Sequence, residues 1–300
     1  MAELTVSGLR VLLAVAETGS FTAAARWLGY SQSAISRQVA ALELAAGQVL
    51  FDRHRSGASL TAAGSRLLPR ARVIINELEA ALADVRLTPS GRVRLGVFPI
   101  AAATLIPDVL VQLRAEHPEV IISVREATTP TMVRSIRAGT LDLALVAESP
   151  PFRPLDAESP ALDVATLVER DLVVAVGPDH PLAHRGSVGV EELNGQVWVA
   201  SAREGSDMLM GVWPGLAERA DVRYVVRDWL AKLQLVAAGL AVTTVAPSLA
   251  GQLPSGVNMV AVHSEPPETR RLSLIRLAGA TSPGVTAVAN ALRETIRSSG

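Results

Sequence analysis

Phe21 to Leu42, FTAAARWLGYSQSAISRQVAAL, is the stretch from which the rest of this 300-residue chain is read. Thr22 to Leu28 is rich in alanine and favours helix. Gly29 can take the positive φ that ends a helix, and Tyr30 follows it across a tight turn. Ser31 or Ser33 can cap a second helix running through Ile35, Val39 and Leu42. Ala24 and Ala25 let the two helices lie close, with Leu28, Ile35, Val39 and Leu42 as the inner side. Gln32, Ser33, Ser36, Arg37 and Gln38 then fall on or near the outer side. Their donors and acceptors suit base edges in a major groove, as on the second helix of a helix-turn-helix. The same pattern also describes an ordinary αα-hairpin with a solvated polar face.

Working outward, Leu9, Leu12, Leu13 and Ala16 recur at helical spacing and predict a first helix over 5–17, broken by Gly19 and Ser20. On the other side, Ala46-Gly47 ends the helical run. Residues 49–55 and 59–61 then read as a β-hairpin around Ser56-Gly57-Ala58. Arg53, His54 and Arg55 near its tip suit phosphate contacts that add salt-sensitive affinity without base choice. Thr61-Ala62-Ala63-Gly64 opens a long helix in which Leu68, Ala71, Ile75, Leu78, Leu82 and Val85 step by three and four, an a/d seam. Such a seam meets either a second copy of the chain or the helix's own domain. Two-fold DNA sites call for two heads, which favours the second copy. Pro69 removes one backbone bond and is a candidate kink. Leu87 to Gly91 reads as a linker.

Charge supports this division. From Arg26 to Arg72 seven arginines face only Glu43 and Asp52, whereas the whole chain has a formal net charge of −1. A basic head on a mildly acidic body suits a nucleic-acid-binding module joined to a sensing or partner domain. Lys232, the one lysine in the chain, reads as a habit of composition.

After Gly91 strands and helices alternate. Strands are expected at 93–98, 120–126 and 141–146, with helices at 101–116 and 131–138 between them. A Pro-rich gap runs from 149 to 160. A second alternating set follows: 171–176, 191–193, 197–200, a segment at 208–216, 222–226, a helix at 229–238, 241–245 and 259–262. A strand at 271–277 and a helix at 283–296 close the chain. Alternation implies a parallel sheet with helices on both faces. The reading is two α/β lobes, the second inserted in the first, with a small-molecule cleft between them.

Several classes fall away. The composition, 49% hydrophobic and 19% charged, is that of a folded globular protein. There is no cysteine, so disulfide and thiolate chemistry are excluded. No apolar run is long enough to cross a bilayer and no signal sequence opens the chain, which points to the cytoplasm. The rival reading, an enzyme or an α/β binding module with oligomerising helices, finds no G-x-S-x-G, Walker A, G-x-G-x-x-G or H-E-x-x-H motif. His54, His117, His180, His184 and His263 are scattered and make no metal set. No catalytic residue, metal or cofactor is expected.

The phrases GSFTAAARWLGYSQSAISRQVAALE, LFDR and LTAAG, then EHPEV, RAGTLDLALV, GPDHPLA and LVAAGLAV, resemble those of LysR-type transcriptional regulators over almost the whole chain. The resemblance implies a fold of α/β class: a helix-rich winged helix-turn-helix, a dimerising linker helix, and a two-lobe body like periplasmic binding proteins. It divides the chain at 1–60, 61–91 and 92–300, with lobe one at 92–165 and 266–300 and lobe two at 166–265. Implied partners are double-stranded promoter DNA, a small-molecule effector and further copies of the chain as a homodimer or homotetramer, with no membrane. Ser31, Gln32, Ser33, Ser36, Arg37 and Gln38 would face DNA, with Arg53 and Arg55 on the wing; for Ser31 and Ser33 helix capping is the alternative. Effector candidates are Pro99, Ile100, Ala101, Thr128, Thr129, Ser201 and Thr243. For the hydroxyls among these, Thr128, Thr129 and Ser201, local hydrogen bonding is the alternative. Many relatives have Ser or Thr where Ile100 stands, and that hydroxyl helps hold a carboxylate. Ile100 cannot. That departure argues against an anionic effector, or moves its anchor to Thr129, Ser201 and backbone N–H groups at helix starts. A DNA-binding protein with no ligand is the remaining alternative.

Overall fold

The computed structural model describes residues 3–298 except 55–56, 87–90, 149–151, 153–154, 156–157, 159, 203–208, 218 and 280. Three helices come first: α1 (Val6–Thr18), α2 (Phe21–Leu28) and α3 (Gln32–Ala46). Each starts on a hydroxyl. Thr5, Ser20 and Ser31 accept from the N–H groups of Gly8, Ala23 and Ala34, donors the helix itself cannot satisfy. Gly29 sits between α2 and α3 at φ 72°, where a side chain would be strained, and the Tyr30 N–H closes the turn on the Ala25 carbonyl at 2.9 Å. Leu12, Val15, Ala24, Ile35 and Val39 share one buried core.

The wing is β1 (Phe51–His54) paired antiparallel with β2 (Gly57–Leu60). Glu43 fastens it to α3: its carboxylate accepts from Leu50 N–H at 2.8 Å and Phe51 N–H at 3.3 Å. The long helix α4 (Ala62–Arg86) follows. Thr61 accepts from Gly64 N–H and donates to the Val49 carbonyl. A Cβ at Gly64 would stand 2.2 Å from the Leu50 carbonyl oxygen, so this approach of helix to wing requires glycine.

α4 runs unbroken through Pro69. Its apolar seam divides. Leu68, Ala71 and Ile75 complete the core of the head, which therefore extends past residue 60. Leu78 is half-buried, and Leu82 is 40% exposed against 2% for Leu68. The first half of the seam thus serves the helix's own domain. The side chain of Val85, and the linker expected at 87–90, lie outside the described residues.

The first lobe is a five-stranded sheet. β3 (Gly91–Val97), β4 (Val120–Glu126), β5 (Leu143–Glu148) and β6 (Leu162–Asp171) are joined by β14 (Thr269–Leu277) in the order β4-β3-β5-β14-β6. β3 is parallel to β4 and β5, while β14 is antiparallel to β5 and β6, so the sheet is mixed rather than all parallel. α5 (Pro99–Thr104), α6 (Ile106–Glu116) and, at the end of the chain, α9 (Pro283–Ser298) share the core on one face. α7 (Thr129–Arg137) covers the other. The helix expected over 101–116 breaks at Leu105, because Pro107 has no N–H to carry the first helix forward. β6 stands where no strand was expected, and the lobe boundary falls after it: Thr166 pairs with Ser273 and Asp171 with Thr269, so a division at 165/166 cuts a strand. The chain crosses to lobe two at Leu172, whose N–H donates to the Glu268 carbonyl at 2.8 Å on the returning segment.

The second lobe contains β7 (Val173–Val176), β8 (Ser187–Gly189), β9 (Val197–Ala202), β10 (Leu209–Met210), β11 (Asp221–Val225), α8 (Trp229–Ala237), β12 (Thr243–Val245) and β13 (Asn258–His263). The strands run β12-β7-β13-β8 and β10-β9-β11, and a bridge between Trp198 and Val242 joins the two sets. Residues 190–193 form a 3₁₀ turn, not a strand. The segment expected at 208–216 is β10 followed by a turn at Gly211 and Pro214, with 208 outside the described residues.

Head and lobe one meet on the face of β3 that carries Arg92 and Arg94. Arg92 lies over the Trp27 ring of α2 at 5.0 Å. Arg94 is buried and grips Asp142 through Nε at 3.0 Å, Nη2 at 2.7 Å and its own backbone N–H at 2.8 Å. Glu17 of α1 stands 3.8 Å from Arg94, and Arg72 of α4 stands 3.9 Å from Asp142. Burial alone would raise the Asp142 carboxyl, but the bonds and charge of Arg94, helped by Arg72, hold it below the usual range. Arg72, counted in the basic head, therefore faces the body.

Candidate nucleic-acid interface and ligand cleft

α3 sorts its residues by face. Ile35, Val39 and Leu42 are buried in the head. Ser31, Gln32, Ser33 and Arg37 are exposed, and Ser36 and Gln38 are half-buried at the edge of the same face. Ser31 spends one acceptor on its cap and lies 3.0 Å from the Ser33 hydroxyl. The Gln32 amide donates to Ser36 at 3.2 Å, so these two polar groups are held in register before anything binds. Arg53 on the wing is exposed and stacks over the Phe21 ring at 4.3 Å, which places its guanidinium beside the start of α2. Arg55 lies outside the described residues.

Between the lobes lies a cavity of about 330 Å³. Lobe one supplies α5, α6, β6 and β14; lobe two supplies the β10 turn, α8, β12 and the 3₁₀ turn after it. Of the seven effector candidates, Ile100 and Ala101 line it. Pro99 starts α5 beside them. Thr129 donates to the carbonyl of Ala147, a wall residue, at 3.2 Å, while Thr128 bonds Thr131. Ser201 donates to the Val226 carbonyl at 2.7 Å. The buried Thr243 hydroxyl lies 3.0 Å from the Val199 carbonyl and 3.1 Å from that of Gly211. Ser201 and Thr243 thus hold lobe two together, and Thr244 lines the cavity instead.

The charged lining escapes a reading of the sequence. Arg170 and Arg270 come from β6 and β14, Lys232 from α8 and Asp108 from α6. Burial, and then the charge of Arg270, lower the Lys232 ammonium to about 8. Its Nζ donates to the Met210 carbonyl at 3.2 Å. Burial raises the nearby Glu268 carboxyl against the opposing pull of Arg270. The single lysine is a signal that could have been used, because one lysine in 300 residues is a choice as well as a habit. The two arginines carry none: they are 100 residues apart and meet only through the β6–β14 ladder.

Among the described residues no three His, Asp or Glu side chains gather to hold a metal ion. His180 bonds Gln196 and accepts from Leu182 N–H, which organises its loop. A winged helix-turn-helix carried by a long helix on a two-lobed body with a cleft defines a DNA-binding regulator of the ligand-responsive class. Residues 6–65 match the family described as bacterial regulatory helix-turn-helix protein, lysR family, and residues 86–297 match the LysR substrate binding domain. The chain belongs to the LysR family of transcriptional regulators.

Among its relatives, the "Probable hydrogen peroxide-inducible genes activator" of Mycobacterium xenopi is 35% identical over 187 residues, covering 61% of this chain and 95% of that protein. The "Small neutral protease regulatory protein" of Streptomyces coelicolor is 32% identical over 255 residues, 80% of this chain and 77% of that one. A full-length OxyR structure from Pseudomonas aeruginosa is similar in fold, with a TM-score of 0.76 at 21% identity over 98% of this chain and 95% of that one.

Proposed function

We propose that α3 reads promoter DNA in the major groove and that a small molecule bound between the lobes modulates this. The supporting observation is the division of α3. Its apolar row is sealed in the head, which leaves Gln32, Ser36, Arg37 and Gln38 as one polar edge, with Ser31 and Ser33 at its start and Arg53 beside it. Serine, glutamine and arginine side chains can bond bases and phosphates alike.

Two heads would be paired through α4. Ile74, Leu78 and Leu82 follow one another at four-residue spacing, and Ile74 and Leu82 are 47% and 40% exposed. A stripe of that kind suits a second copy of the same helix.

The cleft is read as a binding site rather than a catalytic one, because its described wall carries no serine, cysteine or histidine. The Mycobacterium xenopi relative is named for hydrogen peroxide. This chain has no cysteine, so thiol oxidation is closed to it, and a non-covalent ligand is the signal that fits. No described helix is long and apolar enough to cross a membrane, and the cytoplasm is where this function would operate.

Arg37→Ala tests the reading. With a duplex selected from a random library, gel shifts at matched salt should show a loss of about 1–3 kcal/mol, while sedimentation shows an unchanged assembly. Equal affinity of mutant and parent would exclude Arg37 from the interface.

A further inference from the structure

We propose that the cleft takes an organic anion with an apolar body, its carboxylate or equivalent oxyanion held between Lys232 of lobe two and the Arg170–Arg270 pair of lobe one. The proposal rests on reading the cleft as an effector site and names the chemistry of its occupant.

The first support is the ladder. Arg170 and Arg270 are direct partners across β6 and β14, and both line the cavity. Like charges placed opposite one another in a sheet repel. An anion in front of them turns that repulsion into a forked donor set. The second support is Lys232, which reaches the same space from the opposite lobe. Its ammonium is oriented by the bond to Met210 and stays mostly charged at neutral pH, though burial and Arg270 oppose this. Asp108 is the one carboxylate in the described wall, so positive charge is in excess there.

The remaining wall sets the body of the ligand. Phe98, Leu105, Val168, Leu233 and Leu249 are apolar, and about 330 Å³ is the small end of the range for ligand pockets. A single ring or a short chain fits better than a nucleotide or a peptide. Ile100 belongs to this apolar part, and the hydroxyls of Thr129 and Ser201 are turned to carbonyls. The anchor therefore lies on the cationic side, away from the positions at which the sequence suggested it. An anion touching Lys232 and the arginines would also bridge the two lobes, which gives it leverage on their arrangement.

The test uses the full chain and calorimetry at neutral pH with benzoate, 3-phenylpropionate and octanoate, each beside its primary amide. At least one acid should bind roughly tenfold or more tighter than its amide, and Lys232→Met should weaken the acid by roughly tenfold while leaving the amide little changed. Arg170→Met provides a second, independent loss if Lys232→Met melts early. Equal binding of acid and amide, lost for both in Leu249→Trp, overturns the anionic anchor and leaves the cleft a ligand site. Acid binding undisturbed by either charge variant overturns the anchor as well. No acid binding at millimolar concentration, in samples that still bind the selected duplex, removes the ligand class but not the DNA-reading head.

Discussion

On α3 the functional candidates are the side chains left in water once the core is full; in the cleft they are charged groups drawn part of the way into protein. Arg37 is exposed, lies five residues from Gln32 on one continuous helix, and owes its place to Ile35 and Val39 behind it. Lys232, Arg170 and Arg270 come from three elements in two lobes, and none is positioned by its sequence neighbours alone. A surface of the first kind depends on local periodicity. A site of the second kind depends on topology, and its members alter one another's charge.

The sharpest way to break the comparison is to remove the core behind the helix. Ile35→Ala deletes a fully buried side chain of the head and should cost about 2–5 kcal/mol. Thermal melts should then show the head unfolding first, with duplex binding lost and ligand binding in the cleft retained. If the cleft loses its ligand in step, the Arg94–Asp142 junction transmits head unfolding into lobe one, and the two regions are not independent.

The same contrast explains what the sequence made legible. Gly29 and the Ser31 cap act within a few residues of themselves, so the centre of the head could be read locally. β6 could not. It follows a Pro-rich segment, its period-two run of Leu162, Val164, Thr166 and Val168 is short, and its partner β14 lies about 100 residues on. Ser201 and Thr243, whose hydroxyls meet carbonyls, show a related difficulty: a hydroxyl near a cleft looks the same in sequence whether it faces a ligand or a carbonyl. Lys232 escapes because its rarity reads as composition. The seam of α4 lies between these cases. Its spacing gave an apolar face but could not say that Leu68 meets the head while Leu82 is left exposed by its own chain.

That division yields a smaller effect. Leu82→Asp puts a charge on the exposed half of α4, where the parent side chain contributes little to the fold of its own chain. Sedimentation over a dilution series should show self-association weakened by roughly tenfold, about 1.4 kcal/mol, with the melting temperature of the head unchanged. An undiminished assembly would move the interface off this stripe.

The mildest effect separates the two sites by pH alone. Lys232 has its proton affinity lowered to about 8, by burial first and then by the charge of the facing Arg270. Arg170, Asp108 and Glu268 are the other charged groups on the neighbouring elements, and burial raises the Glu268 carboxyl against the pull of Arg270. A bound carboxylate favours the ammonium, so binding takes up a proton near pH 8 and above. Acid affinity should be flat from pH 6 to 7 and fall by about tenfold between pH 7 and 9, since each pH unit past the lysine's own value costs about 1.4 kcal/mol. The fold responds with the opposite sign. Because the unfolded chain holds that proton up to about pH 10.4, the unliganded protein gains stability from this group as pH rises through 8, and loses that gain once the anion is bound. Duplex binding by the head, which lies apart from Lys232, should not share the slope. Calorimetry in buffers of different ionisation enthalpy reads the proton uptake directly. A slope that persists in Lys232→Met would assign the titration to another group and leave the lysine a bystander.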